Sequence, residues 1–340
     1  MVKPVENVLS SAQSQVSRSK LSIYLELAKA RLTFLVLITA LVGYVVGVSG
    51  NFALIPFLSL AIGTFALASA ANSLNQWWER EQDARMHRTQ NRPLPAGLIE
   101  PQEALSVSLL FALGGLVLLA VGANWMTALL GALNLLIYVL VYTPLKTKSS
   151  LCTLVGAICG AIPPMMGWVA ATGSMGPGGW MLAAILFVWQ IPHFLALAWM
   201  YREDYERGGF RMLPVVDRGG HLTFRLIMLY SAALIPLGLA VFFGQVAGFF
   251  YMLGSFLLAG MMFVYSLRLS RTKADGDARK VFFASLVYLP LLLGLMVVDA
   301  KASPNVPQTD PSPLQSQAFV SADHAQPGAN AASSPIDASL

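Results

Sequence analysis

Charge is what this 340-residue sequence lacks most. Asp, Glu, Lys and Arg together make up 11% of it, less than half of the about 25% found in an average soluble protein. A soluble enzyme of this size is excluded on that ground, and so is a disordered or fibrous chain. Cysteine is nearly absent too: Cys152 and Cys159 share one apolar stretch, and they build neither a disulfide framework nor a metal-ligand cluster. No internal repeat is visible at the residue level, and no nucleic-acid partner is expected. What fills the chain is apolar. Hydrophobic residues make up 56% and the mean hydropathy is +0.63, in runs longer than a soluble core requires. The expectation is all-α: a polytopic membrane bundle of nine helices around a central cavity.

A helix needs about 20 mostly apolar residues to cross the hydrocarbon core. Nine stretches qualify, near residues 32–48, 54–74, 105–121, 126–142, 151–171, 180–200, 226–243, 248–267 and 281–298. The first follows a polar stretch too long for a secretory signal, and no small-residue cleavage pattern comes after it. Connections after the first, third, fifth and seventh stretches hold no Lys or Arg. The N-terminal segment and the other four connections hold 21 of the 22 basic residues, leaving only Lys301 on the opposite side. By the positive-inside rule the N-terminus and charged loops are cytoplasmic and the C-terminus lies outside. Three regions follow: a polar cytoplasmic segment over 1–28, a nine-span membrane domain over 29–300, and a disordered tail over 301–340. The tail is rich in Pro, Ser, Ala and Gln and cannot bury enough surface to fold alone; it reads as a solvated, dispensable extension, with a partner-binding segment as the alternative. Gly43/Gly47 and Gly156/Gly160 have the small-xxx-small spacing of closely packed membrane helices.

Chemistry concentrates in two charged loops. Asn75, Glu79 and Asp83 are spaced i, i+4, i+8, which puts all three on one helical face as the second span leaves the membrane. Two carboxylates and an amide oxygen are hard ligands that suit Mg²⁺, a cation commonly bound by one or two carboxylates plus substrate phosphates. Arg85, Arg88 and Arg92 follow, and guanidinium groups match phosphate oxygens. Self-neutralising surface charge is the bland alternative. Against it, Asn75 stands at the membrane end of a span, where a polar group is costly, and Pro93 and Pro95 end the helical run just after Arg92. His87 reads as solvent-facing.

The sixth span carries Gln190, Pro192 and His193, polar or helix-loosening groups that need partners or a cavity. Glu203, Asp204 and Glu206 form a second acidic cluster on the same side, with Arg202, Arg207 and Arg211 as further phosphate-competent groups. Lys146 and Lys148 in the fourth loop serve topology, and phosphate binding is the weaker reading. Pro163 and Pro164 are expected to distort the fifth span. The stretch from Arg268 to Lys280 reads as a plain charged linker.

Taken together, Asn75-xxx-Glu79-xxx-Asp83, the run Arg88 to Pro95, Tyr142 to Lys146, Pro163 to Trp168, Trp189 to Phe194 and Asp204 to Pro214 resemble the UbiA-type superfamily of intramembrane prenyltransferases, in its haem-farnesylating branch. The resemblance covers about Lys29 to Val298. It implies Mg²⁺ held by Asn75, Glu79, Asp83 and Asp204 as the catalytic set, a diphosphate bound by Arg85, Arg88, Arg92, Lys146, Arg202 and Arg211, and haem contacted by His193, Gln190 and Tyr205. Whether His193 ligates the iron stays open: an axial bond from its imidazole, a hydrogen bond to the helix bundle and one to a haem propionate are the three readings. The implied substrates are farnesyl diphosphate and haem b in the lipid bilayer, with haem A synthase or a terminal oxidase as assembly partners. The implied location is a bacterial inner membrane, or the mitochondrial inner membrane in a eukaryote. Two departures stand out. Glu79 replaces the Asp of many relatives, and Gly208 stands where a second Asp would follow Asp204, leaving Glu203 or Glu206 to complete a second ligand set. A quinone or chlorophyll prenyltransferase is the nearer rival. A carrier is the rival from another class, although its coupling charges would be expected near the bilayer midplane.

Overall fold

A computed structural model describes residues 19–48 and 50–300. The tail and most of the N-terminal segment singled out above lie outside the described residues. Among those described, nine helices are long and apolar enough to cross a membrane, and the protein is a multi-pass membrane protein. A short helix α1 (Lys20–Leu27) precedes α2 (Ala30–Gly47) and α3 (Leu54–Trp78), and a one-and-a-half-turn helix α4 (Arg80–Arg85) continues from the latter. The next spans are α5 (Pro101–Gly122) and α6 (Trp125–Leu136), α6 running on as a π-helical turn over Ile137–Tyr142 and a last turn over Thr143–Leu145. Then come α7 (Cys152–Thr172), α8 (Pro177–Met200) and the short α9 (Arg202–Arg207) and α10 (Leu213–Val216). The last three spans are α11 (His221–Phe243), α12 (Phe249–Thr272) and α13 (Asp275–Val298).

Two apolar cores hold the bundle. One gathers residues of α8, α11, α12 and α13 around Leu186, Ile227, Met262 and Tyr288; the other joins α2, α3, α5 and α7 around Tyr44, Leu60, Leu119 and Met166. Helix α7 stands between them, with 67% of its membrane window buried against 11% for the fourth span. Glycine allows this. A Cβ on Gly43 would collide with the Pro164 carbonyl, and one on Gly167 with the Ala40 carbonyl, so α2 and α7 meet backbone to backbone. Gly156 and Gly160 do something else: they make room for the Tyr142 ring and the Gln190 carboxamide. Outward faces present Ile55, Leu110, Val121 and Phe250, as a lipid-facing surface should.

The spans fall where hydropathy puts them, but the helices outrun the apolar stretches. Hydropathy marks the hydrocarbon crossing, whereas the backbone ladder continues wherever charged side chains can reach water. The expected linker from Arg268 to Lys280 is therefore mostly helix, and it shrinks to Lys273 and Ala274, with Lys273 at φ 53° making the turn. Helix α7 also runs unbroken through Pro163 and Pro164.

Candidate active site

The first motif keeps its shared face across a change of helix. Glu79 sits at the joint between α3 and α4, yet its N–H donates to the Asn75 carbonyl at 2.9 Å and its carbonyl accepts from Asp83 N at 2.8 Å. Asn75, Glu79 and Asp83 are 1%, 4% and 1% exposed, so all three turn inward. Each carboxylate meets a cation: Lys146 Nζ lies 2.8 Å from Glu79, and Arg92 donates to Asp83 Oδ2 at 2.7 Å. The other Asp83 oxygen, Oδ1, is buried with no hydrogen-bond partner among the described residues.

Lys29 is a third cation here, and sequence reasoning counted it only towards topology. Its ammonium donates to Asn75 Oδ1 at 3.3 Å. Burial, then the nearby Arg92 and Lys146, push it down to about 7, with Glu79 and Asp83 acting in the opposite direction. The side chain gets there because the chain breaks between α1 and α2, with Lys29 in the left-handed region at φ 47°. That conformation is uncommon for a residue with a Cβ. Neighbours pin it: Gln76 Nε2 donates to the Leu27 carbonyl at 2.5 Å, Thr33 Oγ1 to the Ala28 carbonyl at 2.8 Å, and Asn72 Nδ2 to Thr33 Oγ1 at 3.1 Å. The signal for Asn72 was in the sequence, since it is a polar residue inside a span.

The π turn of α6 completes this group. A π turn is rare and concentrates at functional sites. It brings Thr143 Oγ1 to accept from Asn75 Nδ2 at 3.1 Å, and sets the rings of Tyr138 and Tyr142 against each other, tilted by 44° with centroids 5.0 Å apart. Lys146 lies over Tyr142 at 4.6 Å and Phe210 at 5.8 Å. Burial opposes its charge, but the Glu79 carboxylate overrides this and holds the ammonium above its ordinary value. Three basic side chains thus face two carboxylates in one largely buried group.

Asp204 belongs to a second group. Its carboxylate accepts from His87 N at 3.0 Å, Arg88 N at 3.3 Å and Arg207 at 2.6 Å. Burial acts against the ionised form, but these hydrogen bonds prevail and hold the carboxyl below its ordinary value. Its oxygens are thus committed to the turn after α4, and no group of three His, Cys, Asp or Glu side chains stands close enough to hold a metal among the described residues. Around it lies a cavity of about 570 Å³ lined by His87, Arg88, Arg202, Glu203 and Asp275 among others. Arg88 stacks between Tyr201 and Tyr205 at 4.8 and 5.0 Å, and Arg202 pairs with Asp275 at 3.0 Å. Arg85 and Arg211 are exposed; no ion pair joins either to the first group among the described residues, and Arg211 contributes a backbone N–H to the Lys146 carbonyl at 2.7 Å. Glu206 pairs with Arg218 on the surface.

In the sixth span, Gln190 is buried against Gly160. The His193 ring lies between Trp189 and Phe282, with centroids 5.0 and 4.9 Å away, and its Nδ1 is 2.8 Å from Ser285 Oγ.

Residues 36–287 match the UbiA prenyltransferase family, which is most of the chain. The chain belongs to the UbiA prenyltransferase family. Within it, the chain is 43% identical over 286 residues to a protoheme IX farnesyltransferase of Solibacter usitatus, covering 81% of this chain and 98% of that one. It is 39% identical to the mitochondrial protoheme IX farnesyltransferase of Homo sapiens, covering 83% of this chain and 63% of that one. The UbiA fold is seen in solved structures as well. A digeranylgeranylglyceryl phosphate synthase superposes with a TM-score of 0.71 at 18% identity, over 83% of this chain and 99% of that one. A UbiA homolog from Archaeoglobus fulgidus bound to GPP and Mg²⁺ superposes with a TM-score of 0.59 at 18% identity, over 81% and 99%.

Proposed function

We propose that this UbiA-family enzyme transfers the farnesyl group of farnesyl diphosphate to a vinyl carbon of haem b, leaving a hydroxyethylfarnesyl side chain. The relatives' shared name supports the choice of substrates. The observation that carries the chemistry is the buried group of Glu79, Asp83, Lys29, Arg92 and Lys146 where α3 leaves the membrane. Arg92 and Lys146 balance its two carboxylates, and Lys29, held down to about 7, can take up a proton as an anion enters.

Mg²⁺ fits the same group: Asp83 Oδ1 is an orphaned buried acceptor, and Glu79 and the Asn75 amide supply further hard oxygens. Glu79, Asp83 and Asn75 would hold the ion, and substrate oxygens would fill the rest of its coordination. Bound there, it would help neutralise the departing diphosphate.

The ion pairs keep the site ordered before substrate arrives. When diphosphate enters, Lys146 and Arg92 turn from the carboxylates, and Lys29 from the Asn75 amide, to phosphate oxygens, so the change is an exchange of partners within a preorganised site. Negative charge growing on the leaving group then meets cations already in place, the arrangement that lowers such barriers most. Farnesyl chain and porphyrin are both apolar and lie among the spans. As the C–O bond to diphosphate breaks and the allylic cation forms, the vinyl group attacks its first carbon, and water captures the cation left beside the porphyrin and releases one proton to solvent. Asp204 acts as the anchor of the turn that carries Arg88 and leads to Arg92. Gln190, Tyr205 and His193 face the acceptor, His193 as axial ligand. The N-terminus and charged helix ends are cytoplasmic, in a bacterial inner membrane or its mitochondrial counterpart, where haem A synthase or oxidase assembly partners would take the product.

Membranes carrying the chain, given farnesyl diphosphate with either haem b or an aromatic acid, test this reading. The expected product is farnesylated haem alone. A prenylated aromatic acid would shift the acceptor to the quinone branch, and transport of either compound without chemistry would overturn the reading altogether.

A further inference from the structure

The hydrogen-bond network around His193 fixes where its proton is. Ser285 Oγ lies 2.6 Å from the Phe282 carbonyl oxygen, one turn earlier on α13. Two oxygens that close need a proton between them, and the carbonyl has none, so the Ser285 hydroxyl donates there. A serine has one hydrogen to give. The 2.8 Å contact between Ser285 Oγ and His193 Nδ1 must then be supplied by a proton on Nδ1. A neutral ring protonated at Nδ1 carries a lone pair at Nε2.

The ring is also held in place. Trp189 covers one face at an interplanar angle of 19° and Phe282 the other at 25°. Trp189 Nε1 donates to the Ser285 carbonyl at 2.9 Å, which fixes α8 against α13 at the same residue. Nε2 makes no hydrogen bond among the described residues, and it is not one of the fully enclosed unpartnered atoms. His193 stands seven residues before Met200, the end of α8, or about 10 Å along the helix axis from that end.

We propose that Ser285 is a positioning residue: it holds His193 as the Nδ1–H tautomer, so that an unprotonated Nε2 is presented to the iron of the haem substrate. A ligating imidazole generally donates its other N–H to a neighbour, which sets ring orientation and raises ligand basicity. Ser285 supplies that neighbour inside a span, where water cannot. The inference rests on haem b being the acceptor.

The test uses the full chain in detergent, loaded with haem b and examined by resonance Raman for the iron–histidine stretch, together with haem and farnesyl diphosphate affinities. Wild type should show the band and His193→Ala should lose it. Ser285→Ala should lower its frequency and weaken haem binding by roughly tenfold, the lower end for loss of such a partner. Ser285→Thr, which keeps the hydroxyl, should restore both, and farnesyl diphosphate affinity should hold in every variant. A Ser285→Ala protein with the wild-type band and haem affinity would overturn the role of Ser285. A His193→Ala protein that keeps the band would remove His193 from the iron. The band is read only on folded, haem-loaded protein, so poor yield of one variant does not blur the comparison. Failure of the acceptor reading would show separately, as wild-type protein that does not alter haem b.

Discussion

Asp83 and Asp204 look interchangeable in sequence, as acidic residues beside arginines at the ends of two spans. The structure gives them different partners, Arg92 for Asp83 and the His87–Arg88 backbone with Arg207 for Asp204, and single substitutions should separate them. Asp83→Asn keeps the size of a side chain that is 1% exposed, but it removes the charge that pairs with Arg92 and the oxygen available to a cation. Turnover should fall by at least about 100-fold, the usual effect of losing one preorganised electrostatic group, while the protein still inserts and folds; steady-state rates alongside thermal unfolding in detergent check both halves. Asp204 should behave as an anchor with a pH signature. Its folded pKa is lowered from an ordinary value of 3.8, so its contribution to stability is complete above that value and lost as pH falls through the folded one. The unfolding temperatures of wild type and Asp204→Asn should therefore differ at pH 6 and converge as the pH drops below about 4. A constant gap down to the lowest pH would show that its charge is not what holds the turn. Lys29 could not be read as a site residue, because nothing in the sequence signals that a lysine will adopt a left-handed backbone. It takes Gln76, Thr33 and Asn72 from neighbouring helices to hold that break.

Whole helices were more legible than their ends. The i, i+4, i+8 spacing of Asn75, Glu79 and Asp83 reads correctly because the backbone ladder passes unbroken through the α3–α4 joint. The π turn over Ile137–Tyr142 was invisible, since its apolar composition is that of any span and only tertiary contacts select the wider turn. The glycine pairs show the same limit. Their spacing announces close packing, yet Gly43 meets backbone whereas Gly156 meets a ring that can shift. Adding a methyl at Gly43 should thus cost more than adding one at Gly156. Gly43→Ala is expected to lose about 1–3 kcal/mol, the usual effect of overpacking. Gly156→Ala should lose less stability but disturb Tyr142 and with it Lys146, so its larger effect should be on KM for farnesyl diphosphate. Equal losses of stability, measured by denaturation in one detergent, would contradict this division.

At the scale of the molecule, one boundary organises everything: charged groups gather where α3, α6 and α8 leave the bilayer, and apolar residues fill the rest. A diphosphate and an apolar chain can be held together only at such a boundary. Once Lys146 and Arg92 turn to the diphosphate, the Glu79 and Asp83 carboxylates stand beside it without their partners and need a counter-ion, so activity should vanish on full chelation with EDTA and return with added Mg²⁺. Activity that survives chelation would remove the metal from the account. The most direct test of the central claim is the mass of haem recovered after purified, reconstituted chain is incubated with farnesyl diphosphate, haem b and Mg²⁺ in ¹⁸O-labelled water. The expected product is haem that has gained one farnesyl group and one labelled hydroxyl, formed by wild type and undetectable with Asp83→Asn. Unaltered haem from active, folded wild-type protein, or the same product from Asp83→Asn at the wild-type rate, would contradict the account.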